Sequence, residues 1–112
     1  MKFMAARAAL AGLCLFESVT AFAGAGWTGF APVAELTPTT HHRYLARIKV
    51  SDNPSGCRDE QFFYQDYAAP GSGHMFRTLL AAVESGKNVR VYVTGKCDLD
   101  GYSEISSVSI VP

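Results

Sequence analysis

Neither sign of charge prevails in this chain, which has ten basic and ten acidic residues, and no apolar run is long enough to cross a bilayer. Without a basic excess it cannot neutralise a phosphate backbone, so nucleic acid is not an expected partner, and no membrane span is expected either. Cysteine is scarce: Cys14, Cys57 and Cys97 stand far apart, with none of the close pairs that a zinc site or a dithiol redox motif uses. Histidine is scarce too. His41 and His42 are neighbours, so on an extended strand they point to opposite faces, and His74 stands alone. There is no nucleophile elbow, phosphate-cradling glycine loop or metalloprotease pair. Asp98, Asp100 and Gly101 resemble part of a calcium loop, but Lys96 and Ser107 occupy positions where that loop requires acids. The chain is therefore read as no enzyme, with no metal and no cofactor.

What is present begins with an export signal. Lys2 and Arg7 precede the apolar run Ala8 to Phe16, and Ala21, Phe22 and Ala23 supply a small-x-small cleavage site. Cleavage after Ala23 is expected, which makes residues 1–23 a signal peptide and 24–112 a single mature domain, secreted or periplasmic. The mature part keeps eight basic and nine acidic residues. Cys14 leaves with the signal, and in an oxidising compartment Cys57 and Cys97 read as a disulfide. Closing a loop of about 40 residues stabilises a small domain by roughly 4 kcal/mol in the chain-entropy model.

Hydrophobic period predicts the elements. Trp27 to Leu36 is a weak first strand interrupted by Pro32, and Arg43 to Val50 alternates, with Tyr44, Ala46, Ile48 and Val50 on one face. Asn53, Pro54, Ser55 and Gly56 supply a tight turn into a partner strand from Cys57 to Tyr64, with Phe63 inward and Phe62 and Tyr64 opposite. A helix follows, with Ser72 as N-cap, an apolar stripe of Phe76, Leu79, Leu80 and Val83, and Gly86 as its stop. On this register Leu80→Asp would bury an unpaired charge and unfold the domain. Val89, Val91 and Val93 alternate with Arg90, Tyr92 and Thr94. Ser103 to Val111 is the last strand, with a bulge near Ser106 and Ser107 where the apolar phase slips, and a hairpin turn accounts for Asp100 and Gly101. Three strands, one helix, then two strands is the order of the OB-fold. The expected fold is all-β with one helix: a five-stranded OB-fold barrel with the helix between strands 3 and 4.

Leu79, Leu80, Ala81, Ala82 and Val83, then Gly86, Lys87, Asn88, Val89, Arg90, Val91 and Tyr92, resemble the helix-to-strand junction of subtilase-cytotoxin-type B subunits. The start Trp27, Thr28, Gly29 is similar to the mature N-terminus of that group. The resemblance implies a secreted, non-catalytic OB-fold subunit that assembles as a homopentamer, binds cell-surface glycans and delivers a separate catalytic A subunit of an AB5 toxin. The loops after the first strand do not match, and they help form the family's sugar pocket, so no sugar-binding residue carries over. From the residues alone, Tyr92 with Arg90 and Thr94 on the same strand face are candidate glycan contacts, and Trp27, Tyr44, Tyr64, Tyr67 and Tyr102 are further aromatic candidates. In a pentamer, Arg77, Glu84 and Lys87 on the polar side of the helix would face the pore or neighbouring helices. The alternative is a stand-alone periplasmic or secreted OB-fold binding protein without a toxin role, and a small inhibitor that presents one loop is a third reading.

Overall fold

A computed structural model describes residues 24–112; the expected signal peptide, 1–23, lies outside the described residues. Six strands and one helix follow in the order β1 (Gly26–Trp27), β2 (Ala31–Pro38), β3 (Arg43–Ile48), β4 (Phe62–Asp66), α1 (Ser72–Ser85), β5 (Asn88–Val93) and β6 (Ser103–Ile110). β2, β3 and β4 pair antiparallel in sequence order, β4 pairs parallel with β6, β6 pairs antiparallel with β5, and β5 returns to β2. Five strands thus form a ring of pairings, and β1 adds to β5 beside β2.

Alternation decides which side chains fill the ring. Tyr44, Ala46 and Ile48 from β3, Phe63 from β4, and Val89, Val91 and Val93 from β5 are buried in one cluster with Ile105 and Ala31. Each fully buried Val or Ile contributes about 1.5–3 kcal/mol relative to exposure. The β3 and β5 faces are those expected from their period-two patterns. The bulge in β6 is also present: Tyr92 pairs with Ser107 but Val93 pairs with Ile105, which leaves Ser106 as the extra residue.

Three boundaries differ from expectation. The first strand is two pieces, broken at Thr28–Phe30 rather than at Pro32, which sits inside β2. The Thr28 hydroxyl accepts from the Val91 N–H at 3.2 Å, and the Gly29 N–H donates to Asp52 Oδ1 at 3.0 Å, so side chains replace the ladder there. The turn after β3 is not tight, because the connection spans 49–61 and β4 begins only at Phe62. Asn53 explains why: its Oδ1 accepts from the Ser55 N–H at 2.9 Å, while its Nδ2 donates to the Glu60 carbonyl at 2.9 Å and to Ser103 Oγ at 3.0 Å. One asparagine thereby organises a loop where the sequence pattern suggested strand. Third, Gly71, with φ 77°, occupies the N-cap position and no side chain caps the helix; Ser72 lies within it.

The helix is also turned relative to expectation. Its buried positions are Ser72, Met75, Leu79 and Ala82, whereas Leu80 and Val83 are 38% and 44% exposed. Both stripes share Leu79 and both have helical spacing, so periodicity alone does not separate them. Alanine at 82 allows the helix to approach β2, β5 and β6 closely, and Met75 fits the irregular gap beside it. The expectation that Leu80→Asp unfolds the domain is therefore withdrawn. The helix ends as expected, with Gly86 at φ 73° and its N–H on the Ala82 carbonyl at 2.8 Å.

Candidate functional site

The outward side chains of β2, β3 and β4 stand in cross-strand ranks. Glu35, Arg47 and Phe62 face one another across the three strands; Thr37, Leu45 and Tyr64 form the next rank, and Arg43 and Asp66 follow. The loop between β5 and β6 folds over one side of this face. Within it Leu99–Tyr102 make a turn in which the Tyr102 N–H donates to the Leu99 carbonyl at 2.6 Å. Asp100 and Gly101 both have positive φ, as the expected Asp-Gly hairpin turn requires.

That turn places Tyr102 against Phe62, with ring centroids 4.9 Å apart and planes inclined by 20°. Along the stacked pair runs a groove. Its centre, about 220 Å³, is lined by Glu35, Thr37, Leu45, Arg47, Phe62 and Tyr102. On one side it passes into a wider cleft of about 710 Å³ along Ser51, Arg58, Glu60 and Gln61, with Arg47 and Phe62 shared between the two. On the other it passes over Leu45 and Tyr102 to a recess of about 230 Å³ bordered by Thr39, His41, Arg43 and Leu99.

The walls are held by covalent and polar ties. Cys57 and Cys97 form a disulfide that joins the loop before β4 to the loop after β5. Arg58 Nη2 donates to the Asp100 carbonyl at 2.6 Å, and the Asp59 N–H donates to the Gly101 carbonyl at 3.1 Å. Gly101 is required there by space as well as by φ, since a Cβ on it would stand 2.9 Å from Arg58 Cβ. Behind the disulfide, Ser55 and Ser103 share a hydrogen bond of 2.8 Å, and the Cys57 N–H donates to Ser55 Oγ at 3.1 Å.

Charge in the groove is open rather than spent internally. Among the described residues the only ion pair is Arg43 with Asp66, at 3.4 Å and well exposed to water. Arg47 and Glu35 stand opposite each other without forming one. Tyr64 lies beneath the loop, 4% exposed. Burial first, then the Glu104 and Asp98 carboxylates, push its phenol above the ordinary value, so it stays neutral and structural at physiological pH. A stacked aromatic pair beside free planar donors and acceptors can hold a ligand that has one apolar face and several hydroxyls. Among the described residues no three His, Cys, Asp or Glu side chains gather as a metal would need.

The residues singled out from the sequence are distributed over several places. Tyr92 and Arg90 lie on the outer face of β5 with Trp27 and Phe30. Arg90 sits over the Trp27 ring at 4.4 Å and the Phe30 ring at 5.1 Å, and Tyr92 meets Trp27 edge-on at 5.5 Å. Thr94 turns away to bond Glu104 Oε1 at 2.8 Å. Tyr44 and Tyr64 are buried, Tyr67 stands near the helix start, and Tyr102 alone of the aromatic candidates lines the groove. Arg47, Glu35 and Phe62 escaped notice as site residues. Their outward alternation was visible, but the register that aligns them was not. No protein-family model matches the chain, and no curated protein matches it.

Proposed function

We propose that this chain is a secreted, non-catalytic OB-fold subunit that binds glycan along the groove over β2, β3 and β4. The barrel assignment is supported by the circuit β2-β3-β4-β6-β5, closed back on β2, with a parallel β4–β6 contact and the helix between the third and fourth strands of the circuit. That fold binds oligosaccharides and oligonucleotides on the face of its second and third strands, which here are β3 and β4. The near-neutral charge favours the saccharide.

The observation that carries the reading is the Phe62–Tyr102 stack beside Arg47 and Glu35. An exposed aromatic pair takes the apolar face of a pyranose, and a guanidinium and a carboxylate in one rank offer donor and acceptor to its hydroxyls. The resemblance of Leu79 to Tyr92 to toxin-type B subunits adds assembly as a homopentamer that carries a separate catalytic A subunit. A glycan array with the disulfide-bonded protein, repeated with Tyr102→Ala, tests the site: retained binding in the variant places the ligand elsewhere. Sedimentation tests assembly separately, and a monomer at micromolar concentration sinks the toxin-type reading while leaving the groove intact.

A second reading has its own support. The wide end of the groove carries Arg47, Arg58, Asp59 and Glu60, both signs of charge within one cleft. Mixed charge suits a protein segment, as a stand-alone secreted binding protein would require. Binding to no glycan by a folded protein selects this reading.

A further inference from the structure

A separate cavity of about 210 Å³ lies at the start of α1 and shares no lining residue with the groove. Its walls are Pro38, Tyr44, Tyr67 and Phe76, and its end is formed by Ser72 and Gly73. The three rings are mutually braced: Tyr44 stands 5.2 Å from Phe76, nearly perpendicular, and 6.1 Å from Tyr67. Tyr67 is exposed, yet its hydroxyl is committed at 2.7 Å to both the carbonyl and the N–H of Thr39, so its ring is held in place.

Two independent features at Ser72 and Gly73 give this apolar cavity a polar end. Ser72 is 2% exposed and its hydroxyl has no hydrogen-bond partner. A buried hydroxyl left unpaired is an exception that calls for a physical reason. The helix beginning there has no side-chain cap and no acidic residue in its first turn. Its first amides are orphan donors, and the positive end of the helix is not neutralised. The Ser72 N–H is used by the Ala69 carbonyl; Gly73 and His74 have only the orphan positions of the turn.

Size and chemistry narrow the guest. A cavity of about 150 Å³ accepts benzene, so this one admits a single six-membered ring with one small substituent. Aromatic walls select an aromatic ring, and an uncapped helix start selects an oxygen acceptor, best of all an anion. We propose that the cavity is a binding site for a small aromatic carboxylate, its ring among Tyr44, Tyr67 and Phe76 and its carboxylate at Ser72 and the first turn of α1. The site is independent of the groove and of any sugar bound there.

Benzoate is the probe, followed by backbone amide chemical shifts of the disulfide-bonded protein, with acetate and benzyl alcohol in parallel. Benzoate should shift Ser72, Gly73 and His74 saturably; acetate, lacking the ring, should not, and benzyl alcohol, lacking the charge, should bind several-fold more weakly. Ser72→Ala should lower benzoate affinity about tenfold, the loss of one charge-assisted hydrogen bond. The same variant should melt no lower than the parent, since it removes an unpaired buried hydroxyl. Tyr67→Ala, at an exposed ring, should also weaken benzoate. Equal shifts with acetate would reduce the site to a general helix-end effect on anions. Unchanged affinity in Ser72→Ala, or a lower melting temperature there, would mean that a buried water already satisfies the hydroxyl; either result overturns the proposal.

Discussion

Two surfaces of this protein carry aromatic rings beside arginine, and they use them in opposite ways. On the outer face of β5, Arg90 lies over Trp27 and Phe30, and Tyr92 closes on the indole edge-on. There the cation and the ring faces satisfy one another, although Trp27 and Phe30 remain more than two-fifths exposed. Across β2, β3 and β4, Arg47 has no carboxylate partner and the Phe62–Tyr102 stack borders open space. Similar residue types therefore do different work: the first cluster stabilises the junction of β1 with β5, and the second presents unspent contacts to a ligand. What separates them is the covering loop, braced by Cys57–Cys97, which brings Tyr102 to Phe62 from a distant part of the chain.

The largest test breaks that brace. Replacing both Cys57 and Cys97 by alanine should cost up to about 4 kcal/mol of stability in the chain-entropy model for a loop of this length. Denaturant titration measures it. The comparison predicts a further asymmetry: glycan affinity should fall in the variant at temperatures where it is still folded, while Trp27 fluorescence should keep its native maximum, because the β1–β5 cluster lies outside the bridged loops. Equal loosening of both surfaces would count against a disulfide that serves the groove.

Next in size is an alkaline transition. Tyr44 is fully buried, and desolvation pushes its phenol from 10.0 up to about 12 in the folded protein. Tyr64, under the groove loop, is shifted in the same direction. A raised folded value means that stability is complete below pH 10 and is lost as pH rises towards 12, where the unfolded chain ionises and the folded one resists. For Tyr44 the loss should approach about 3 kcal/mol, from roughly two units at about 1.4 kcal/mol each. Tyr44→Phe should remove most of the slope, and Tyr64→Phe a smaller part. A flat profile from pH 9 to 11.5 in the parent would contradict the burial of both.

How much of this was legible in the sequence depended on whether a pattern was local. The inward valines of β5, the alternation of β3, the Gly86 stop, the bulge at Ser106 and the pairing of Cys57 with Cys97 all follow from spacing or from elimination among few candidates. The helix face did not, because Leu79–Leu80 and Ala81–Ala82 allow two stripes and the gap between α1 and the strands chooses one. Nor did the N-cap, where Gly71 with its positive φ takes the place that Ser72 seemed suited to fill. The groove was hidden for a different reason. Arg47, Glu35 and Phe62 were each visible as outward residues, but they meet only through strand register, and register here depends on a long loop organised by Asn53.

Tyr102→Ala addresses the groove directly. Removing one ring of a stacked pair at a sugar site should cost about 1–2 kcal/mol of binding, ten- to thirtyfold in affinity, and under 1 kcal/mol of stability, because Tyr102 is only half-buried. Arg47→Ala should weaken binding by a smaller factor and leave the melting temperature almost unchanged, since the guanidinium has no internal partner to lose. Calorimetry with a glycan found on the array checks both variants.

The smallest effect belongs to the cluster on β5 and has the opposite signature. Arg90→Gln removes the cation from between Trp27 and Phe30, and an exposed cation–π contact is worth about 0.5–1 kcal/mol, so stability should fall by that amount. Glycan affinity should not change. Arg90 Nε has no hydrogen-bond partner and is shielded from water, so part of the cost of burying it disappears with the charge and the net loss should lie at the low end. A paired measurement of melting temperature and affinity for Arg90→Gln and Arg47→Ala therefore separates an arginine spent on its own fold from one held for a ligand. Affinity lost with Arg90 and kept with Arg47 would exchange the roles of the two surfaces.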